Sequence, residues 1–86
     1  MGLDGITIIY DIENCFDIEI NEKDAIQIRT VGDLMDLVWK KIEYSEENLT
    51  RKQCDDRIFT VIHESVGVPE SKIIRSASFV NDLGID

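Results

Sequence analysis

The residues of this sequence that could bind a metal ion or take part in catalysis lack the partner residues that these functions require. His63 is the only histidine, so it has no second imidazole with which to hold a metal ion and no evident nucleophile to activate. Asp11, Glu13 and Asp17 alternate like the acids of a calcium loop, but no glycine stands at the turn position and the stretch has a helical apolar pattern. These side chains are therefore expected to be solvated or half-buried helix residues.

Nucleophilic side chains are also present without an activating context. Ser65, Ser76 and Ser78 do not occur in a Gly-x-Ser-x-Gly motif, and no acid–base partner can be assigned to them. The two cysteines, Cys15 and Cys54, are too few for a disulfide framework or a zinc site and are expected to be reduced thiols. The sequence therefore favours a protein that is not an enzyme and holds no metal.

Length and charge narrow the functional classes further. The chain has 86 residues, which predicts one domain with little room for an enclosed active-site cavity. Its 18 acidic and 9 basic residues give a formal charge of −9, which argues against nucleic-acid binding and favours partners with basic surfaces. No apolar run approaches the roughly 20 residues of a membrane span. We therefore expect a soluble, cytoplasmic, monomeric protein.

Helices must position these residues, since apolar side chains recur mostly at spacings of three and four. The first helix is expected to turn Ile8, Ile12, Cys15 and Phe16 toward the core. The expected helices are residues 3–16, residues 22–28 after the cap Asn21, residues 31–43 after the cap Thr30, and a fourth from the cap Thr50 to about residue 66, ended by Gly67.

The remaining residues, 68–86, are expected to be mostly loop with a turn near residues 70–74. A long connection without a clear helix often packs over the core of a small domain. The residues expected to wrap the core are Ile73, Ile74, Phe79, Val80 and Leu83.

Two stretches of the sequence resemble the two halves of an acyl carrier protein. In residues 16–34, a helix ends at Phe16, a short acidic helix follows, and Thr30-Val31-Gly32-Asp33 opens the next helix, as in the second half of that family. In residues 61–86, a helix ends in Gly67-Val68 and a long loop ends in Asp82-Leu83-Gly84-Ile85-Asp86, which is similar to the first half. The resemblance implies an all-α, four-helix bundle with three longer helices and one short one.

The two halves stand in reversed order, which implies a circular permutation of the family's chain. Residues 1–43 resemble the second half, residues 44–50 form the linker, and residues 51–86 resemble the first half of a single domain, 1–86. Permutation is tolerated where the original termini lie close together at the surface. A fragment that straddles two tandem carrier domains is the alternative explanation.

The resemblance also implies a missing attachment point. Members of the family carry 4′-phosphopantetheine on a serine that follows Asp-Leu-Gly-x-Asp, and its thiol holds acyl chains as thioesters during fatty-acid or polyketide synthesis. Gly2 aligns with this serine and is flanked by Asp86, Leu3 and Asp4. Because glycine has no hydroxyl group, we expect that this chain carries no 4′-phosphopantetheine and cannot be loaded.

The partner-facing surface of the family aligns with Asp4, Ile6, Tyr10, Glu13 and Asp86. The resemblance implies that these residues contact basic patches on acyl-transfer enzymes, synthases and phosphopantetheinyl transferases. Surface acids raise the rate of encounter with such partners, and apolar side chains add buried contact area. The alternative function is an acidic helical module that binds a protein partner without any prosthetic group.

Overall fold

The structure is a computed structural model that describes residues 3–43 and 49–85. Within these ranges it is all-α, with three longer helices and one short one, so the predicted fold class is confirmed. Most of the predicted linker, residues 44–48, lies outside the described residues. The elements are α1 (Leu3–Phe16), α2 (Glu22–Ala25), α3 (Val31–Ile42), α4 (Arg51–Val66) and a single 3₁₀ turn (Glu70–Lys72).

Helix ends follow the predicted caps. The Thr30 hydroxyl accepts the N–H of Asp33 and the Asp33 carboxylate accepts the N–H of Thr30, which forms a capping box for α3. Thr50 and Gln53 form the same arrangement at α4. Gly67 ends α4 with a φ of 71°, a left-handed conformation that glycine adopts without strain. These local signals account for the start of α3 and for both ends of α4.

The short helix α2 ends three residues earlier than the sequence predicts. Asn21 caps it as expected, with its side chain accepting the N–H of Asp24 at 2.8 Å. After Ala25, however, the N–H groups of Gln27 and Ile28 donate to carbonyls only three residues back. Because this tighter pattern replaces α-helical bonding, the regular helix stops at Ala25.

The core lies between α1, α3 and α4, and α4 packs against both of the others. Along α1 the buried residues recur at a spacing of four, which places one apolar stripe against the core. Residues near the C-terminus complete the core. The fully or nearly buried side chains include Ile8, Ile12 and Phe16 of α1, Val31, Leu34 and Val38 of α3, Cys54, Ile58 and Ile62 of α4, and Ala77, Phe79 and Ile85 near the C-terminus.

Three expected core residues are exposed. Cys15 lies at the edge of the α1 stripe beside Asp56 and Arg57 of α4, so the prediction that it faces the core is wrong. Ile74 and Val80, predicted to wrap the core, are 56% and 59% exposed. Each follows a residue that takes the inward position, Ile73 or Phe79, and is therefore turned to solvent.

We call residues 73–85 the strap, because they cross the N-terminus of α3. The first N–H groups of a helix have no partner within it. Here the N–H of Val31 donates to Ala77 at 3.0 Å, and that of Gly32 donates to Arg75 at 2.8 Å. A Cβ atom at Gly32 would lie 3.0 Å from the Arg75 carbonyl oxygen. A glycine therefore allows this close approach without displacing the strap.

Candidate functional site

Gly2, the predicted attachment position, and Asp86, which flanks it in the resemblance, lie outside the described residues. The residues that follow Gly2 and those that precede Asp86 are described. Leu3 and Asp4 form the start of α1. On the other side, Ile85 is buried and its N–H donates to the Phe79 carbonyl at 2.7 Å. The chain is therefore anchored in the core immediately before Asp86.

The segment that resembles Asp-Leu-Gly-x-Asp forms a tight turn. The N–H of Ser78 donates to the Asp82 carboxylate at 2.7 Å, and the Ser78 carbonyl accepts the N–H groups of Asp82 and Leu83. Gly84 has a φ of 64°, which favours glycine. Ser78 and Asp82 therefore act as structural partners, which gives these two residues a role that the sequence did not reveal.

The outer face of α1 carries two large exposed apolar side chains. Ile6 is 59% exposed and Tyr10 is 64% exposed, and they lie one helical turn apart. Both were predicted from the resemblance to face a partner. The opposite side of the same helix is buried, so α1 presents one apolar face to the core and a smaller one to solvent.

Glu13 has a structural contact that its predicted place on the partner-facing surface did not indicate. Glu13 is half-buried, and its carboxylate accepts the N–H of Ile20 at 2.9 Å. Near it, α1 ends where Asp17 adopts a left-handed φ of 53° and the Ile18 N–H donates to the Glu13 carbonyl. Glu13 therefore fixes the loop after α1 with both its side chain and its backbone.

A cluster of charged side chains joins α3, α4 and the strap. Asp36 of α3 accepts hydrogen bonds from Arg51 of α4 and from Arg75 of the strap, the latter at 2.8 Å. Arg51 also donates to Asp55 at 3.1 Å. Its guanidinium lies 5.8 Å from the centre of the Trp39 ring, within the range of a cation–π interaction.

These contacts shift the pKa of the two central groups in opposite directions. Hydrogen bonds from Arg75 and then Arg51 hold the pKa of Asp36 below its usual value, against an opposing effect of burial. The hydrogen bond to Asp36 raises the pKa of Arg51, and burial opposes it. Of these ion pairs only Arg51–Asp55, at a spacing of four, joins residues close in the sequence, whereas Arg75 is 39 residues from Asp36.

An open groove of about 390 Å³ lies between α2 and the strap. It is lined by Ile28 and Phe79, which are buried, and by Ile26 and Val80, which are 74% and 59% exposed. Arg29 adds a positive charge to the lining. The sequence did not indicate this groove, because it depends on a contact between segments about 50 residues apart.

Three other candidate nucleophiles and bases, Ser65, His63 and Cys54, are hydrogen-bonded or buried. The Ser65 hydroxyl donates to Asp11 and so joins α4 to α1. The Nδ1 atom of His63 lies 2.7 Å from the Val68 carbonyl oxygen. Burial, assisted by the charge of Asp55, raises the pKa of the Cys54 thiol to about 11. A thiol with so high a pKa is a poor nucleophile at neutral pH.

The described part of the chain offers no group of three or more His, Cys, Asp or Glu side chains arranged to hold a metal ion. Among its helices, none has the length and apolar character needed to cross a membrane. The features that stand out are instead surfaces: the exposed pair on α1, the charged cluster, and the groove beside the strap. Comparison with models of protein families and with solved structures finds no match for this chain.

Proposed function

We propose that this protein is an acyl-carrier-like scaffold that binds acyl-transfer or synthase enzymes but cannot itself be loaded. In this proposal the outer face of α1, with Ile6 and Tyr10, contacts a basic, partly apolar surface of the enzyme. In the resemblance, Gly2 aligns with the serine to which 4′-phosphopantetheine would be attached. The chain is a binding partner of such enzymes rather than a catalyst.

The observation that carries the proposal is the division of α1 into two apolar faces. Ile8 and Ile12 are completely buried, whereas Ile6 and Tyr10 are more than half exposed. Transfer of a large apolar side chain from water into a buried contact is favourable by about 1.5–3 kcal/mol. Leaving two such side chains together in solvent is therefore a feature that a partner protein would use.

The first test is whether the chain accepts the prosthetic group. The protein is incubated with a phosphopantetheinyl transferase and coenzyme A, and its intact mass is measured. No gain in mass is expected, because Gly2 offers no hydroxyl group. A gain of one phosphopantetheine would show that another hydroxyl is modified and would refute the loss of the attachment point.

The same assay on Gly2→Ser tests whether the rest of the carrier site is present. A gain in mass is expected for this variant. Adding Ile6→Ser or Tyr10→Ser to it should slow the transfer, whereas Ile74→Ser, which changes an isoleucine of similar exposure on the strap, should not. Equal rates for all three would argue against α1 as the docking face.

The alternative function is an acidic interaction module without a prosthetic group. The same exposed pair on α1 favours it, since a partner could bind there whether or not Gly2 is replaced. A folded Gly2→Ser protein that remains unmodified would support this alternative over the carrier proposal. Circular dichroism of the variant establishes that it is folded.

A further inference from the structure

Arg75 attaches the strap to α3 at two points. Its carbonyl oxygen accepts the N–H of Gly32 at 2.8 Å, and its guanidinium donates to Asp36 at 2.8 Å. The same guanidinium lies 3.8 Å from the sulfur of Met35. Because Gly32 and Asp36 are four residues apart, the backbone and side chain of Arg75 together span one turn of α3.

Asp36 is shared between the strap and the helical bundle. Arg51 reaches it from α4, and Arg75 reaches it from the strap. The other charged group facing Arg75 is Asp55, at 4.0 Å. Both Asp36 and Arg75 have more than half of the side chain exposed. Their contact can therefore break without opening a cavity in the core.

The position of the strap determines the shape of the groove described above. Phe79, Val80 and Asn81 of the strap form one side of it, and α2 with Ile28 forms the other. Apart from buried apolar side chains, the strap is held to the rest of the chain by bonds that include Phe79 N–H to the Arg29 carbonyl at 3.0 Å. If the strap lifts, these bonds break and the groove widens.

We propose that the Asp36–Arg75 ion pair is a latch that sets how often the strap lifts from α3 while the three long helices stay packed. The latch connects a surface ion pair to the width of the groove between the strap and α2. It belongs to the fold itself and does not depend on whether the protein binds carrier-dependent enzymes.

Native-state hydrogen exchange of the full chain, followed residue by residue by NMR, tests the latch. Local opening exposes an amide in proportion to the population of the open form. In Asp36→Asn, exchange at the amides of Val31, Gly32 and Phe79 should become about two- to fivefold faster, the range for loss of an exposed ion pair. In the unsubstituted protein these three amides should be less protected than a core amide of α4 such as Ile62 and should respond less to low concentrations of urea, because lifting the strap exposes less surface than global unfolding.

Two further variants isolate the ion pair from its surroundings. Arg75→Gln should reproduce the effect of Asp36→Asn, and the double variant should exchange no faster than either single variant, because both remove the same contact. Arg51→Gln removes the other cation at Asp36 and should leave the three strap-contacting amides unchanged. Unchanged exchange in Asp36→Asn, strap-contacting amides with the same protection and urea dependence as Ile62, or additive effects of the two substitutions would overturn the proposal.

Discussion

The helices and the strap contribute to one core by different means. In α1, buried residues recur every four positions, so Ile8, Ile12 and Phe16 reach the core because they share a helix face. In the strap, Ala77 and Phe79 are equally buried without any helical repeat. Backbone hydrogen bonds to α3, rather than a periodic pattern, hold this segment in place. A small domain can therefore complete its core with a segment that is placed by contacts with distant parts of the chain.

The strongest test of this comparison removes one phenylalanine from each region. Phe16 and Phe79 are 1% and 2% exposed. We expect Phe16→Ala and Phe79→Ala each to lower the free energy of unfolding by about 3–5 kcal/mol, because both leave a cavity. Urea denaturation measures both. If Phe79→Ala costs less than about 1 kcal/mol, burial of Phe79 contributes little to the stability of the core.

Gly32→Ala tests the backbone contact between the strap and α3. Alanine normally stabilises an exposed helix position by about 1 kcal/mol relative to glycine. At Gly32 the added Cβ would meet the Arg75 carbonyl oxygen at 3.0 Å and push the strap away. We therefore expect destabilisation by about 1–3 kcal/mol in urea denaturation. A more stable variant would show that the strap adjusts to the methyl group without loss.

The smallest expected effect concerns the pH dependence of the charged cluster. Because the folded-state pKa of Asp36 is lowered, its stabilising contribution is fully present above the unfolded value of 3.8 and is lost as the pH falls through the folded-state pKa. At neutral pH, Asp36→Asn should cost no more than about 1 kcal/mol, because the carboxylate is well exposed. The difference in unfolding free energy between the two proteins should disappear in acid. A difference that is constant with pH would contradict this origin.

Local signals made the helices predictable from the sequence. Thr30, Thr50 and Gly67 stand where caps and a stop are needed, and each performs its expected role. The end of α2 was predicted three residues too late because a four-residue helix contains too little periodicity to locate its end. Cys15 was misplaced because a residue at the edge of an apolar stripe can face either side.

The strap and the charged cluster were less predictable. Nothing near Gly32 in the sequence indicates that Arg75 will lie against it, and nothing near Asp36 indicates that it will bind two arginines. The surface predicted to face a partner was predictable only in part. Ile6 and Tyr10 are exposed, as a partner-facing surface requires, while Glu13 also accepts the Ile20 N–H. The predicted position of Gly2 and Asp86 lies outside the described residues and stays a prediction.

The placement of Trp39 has a practical consequence for these measurements. It is the only tryptophan in the chain, it is half-buried on α3, and its ring lies beside the Arg51 guanidinium. Indole fluorescence depends on polarity and on nearby charge, so the emission spectrum reports on a single site where α3 meets α4. The protein thus contains its own optical probe of this junction, and unfolding can be followed without attaching a dye.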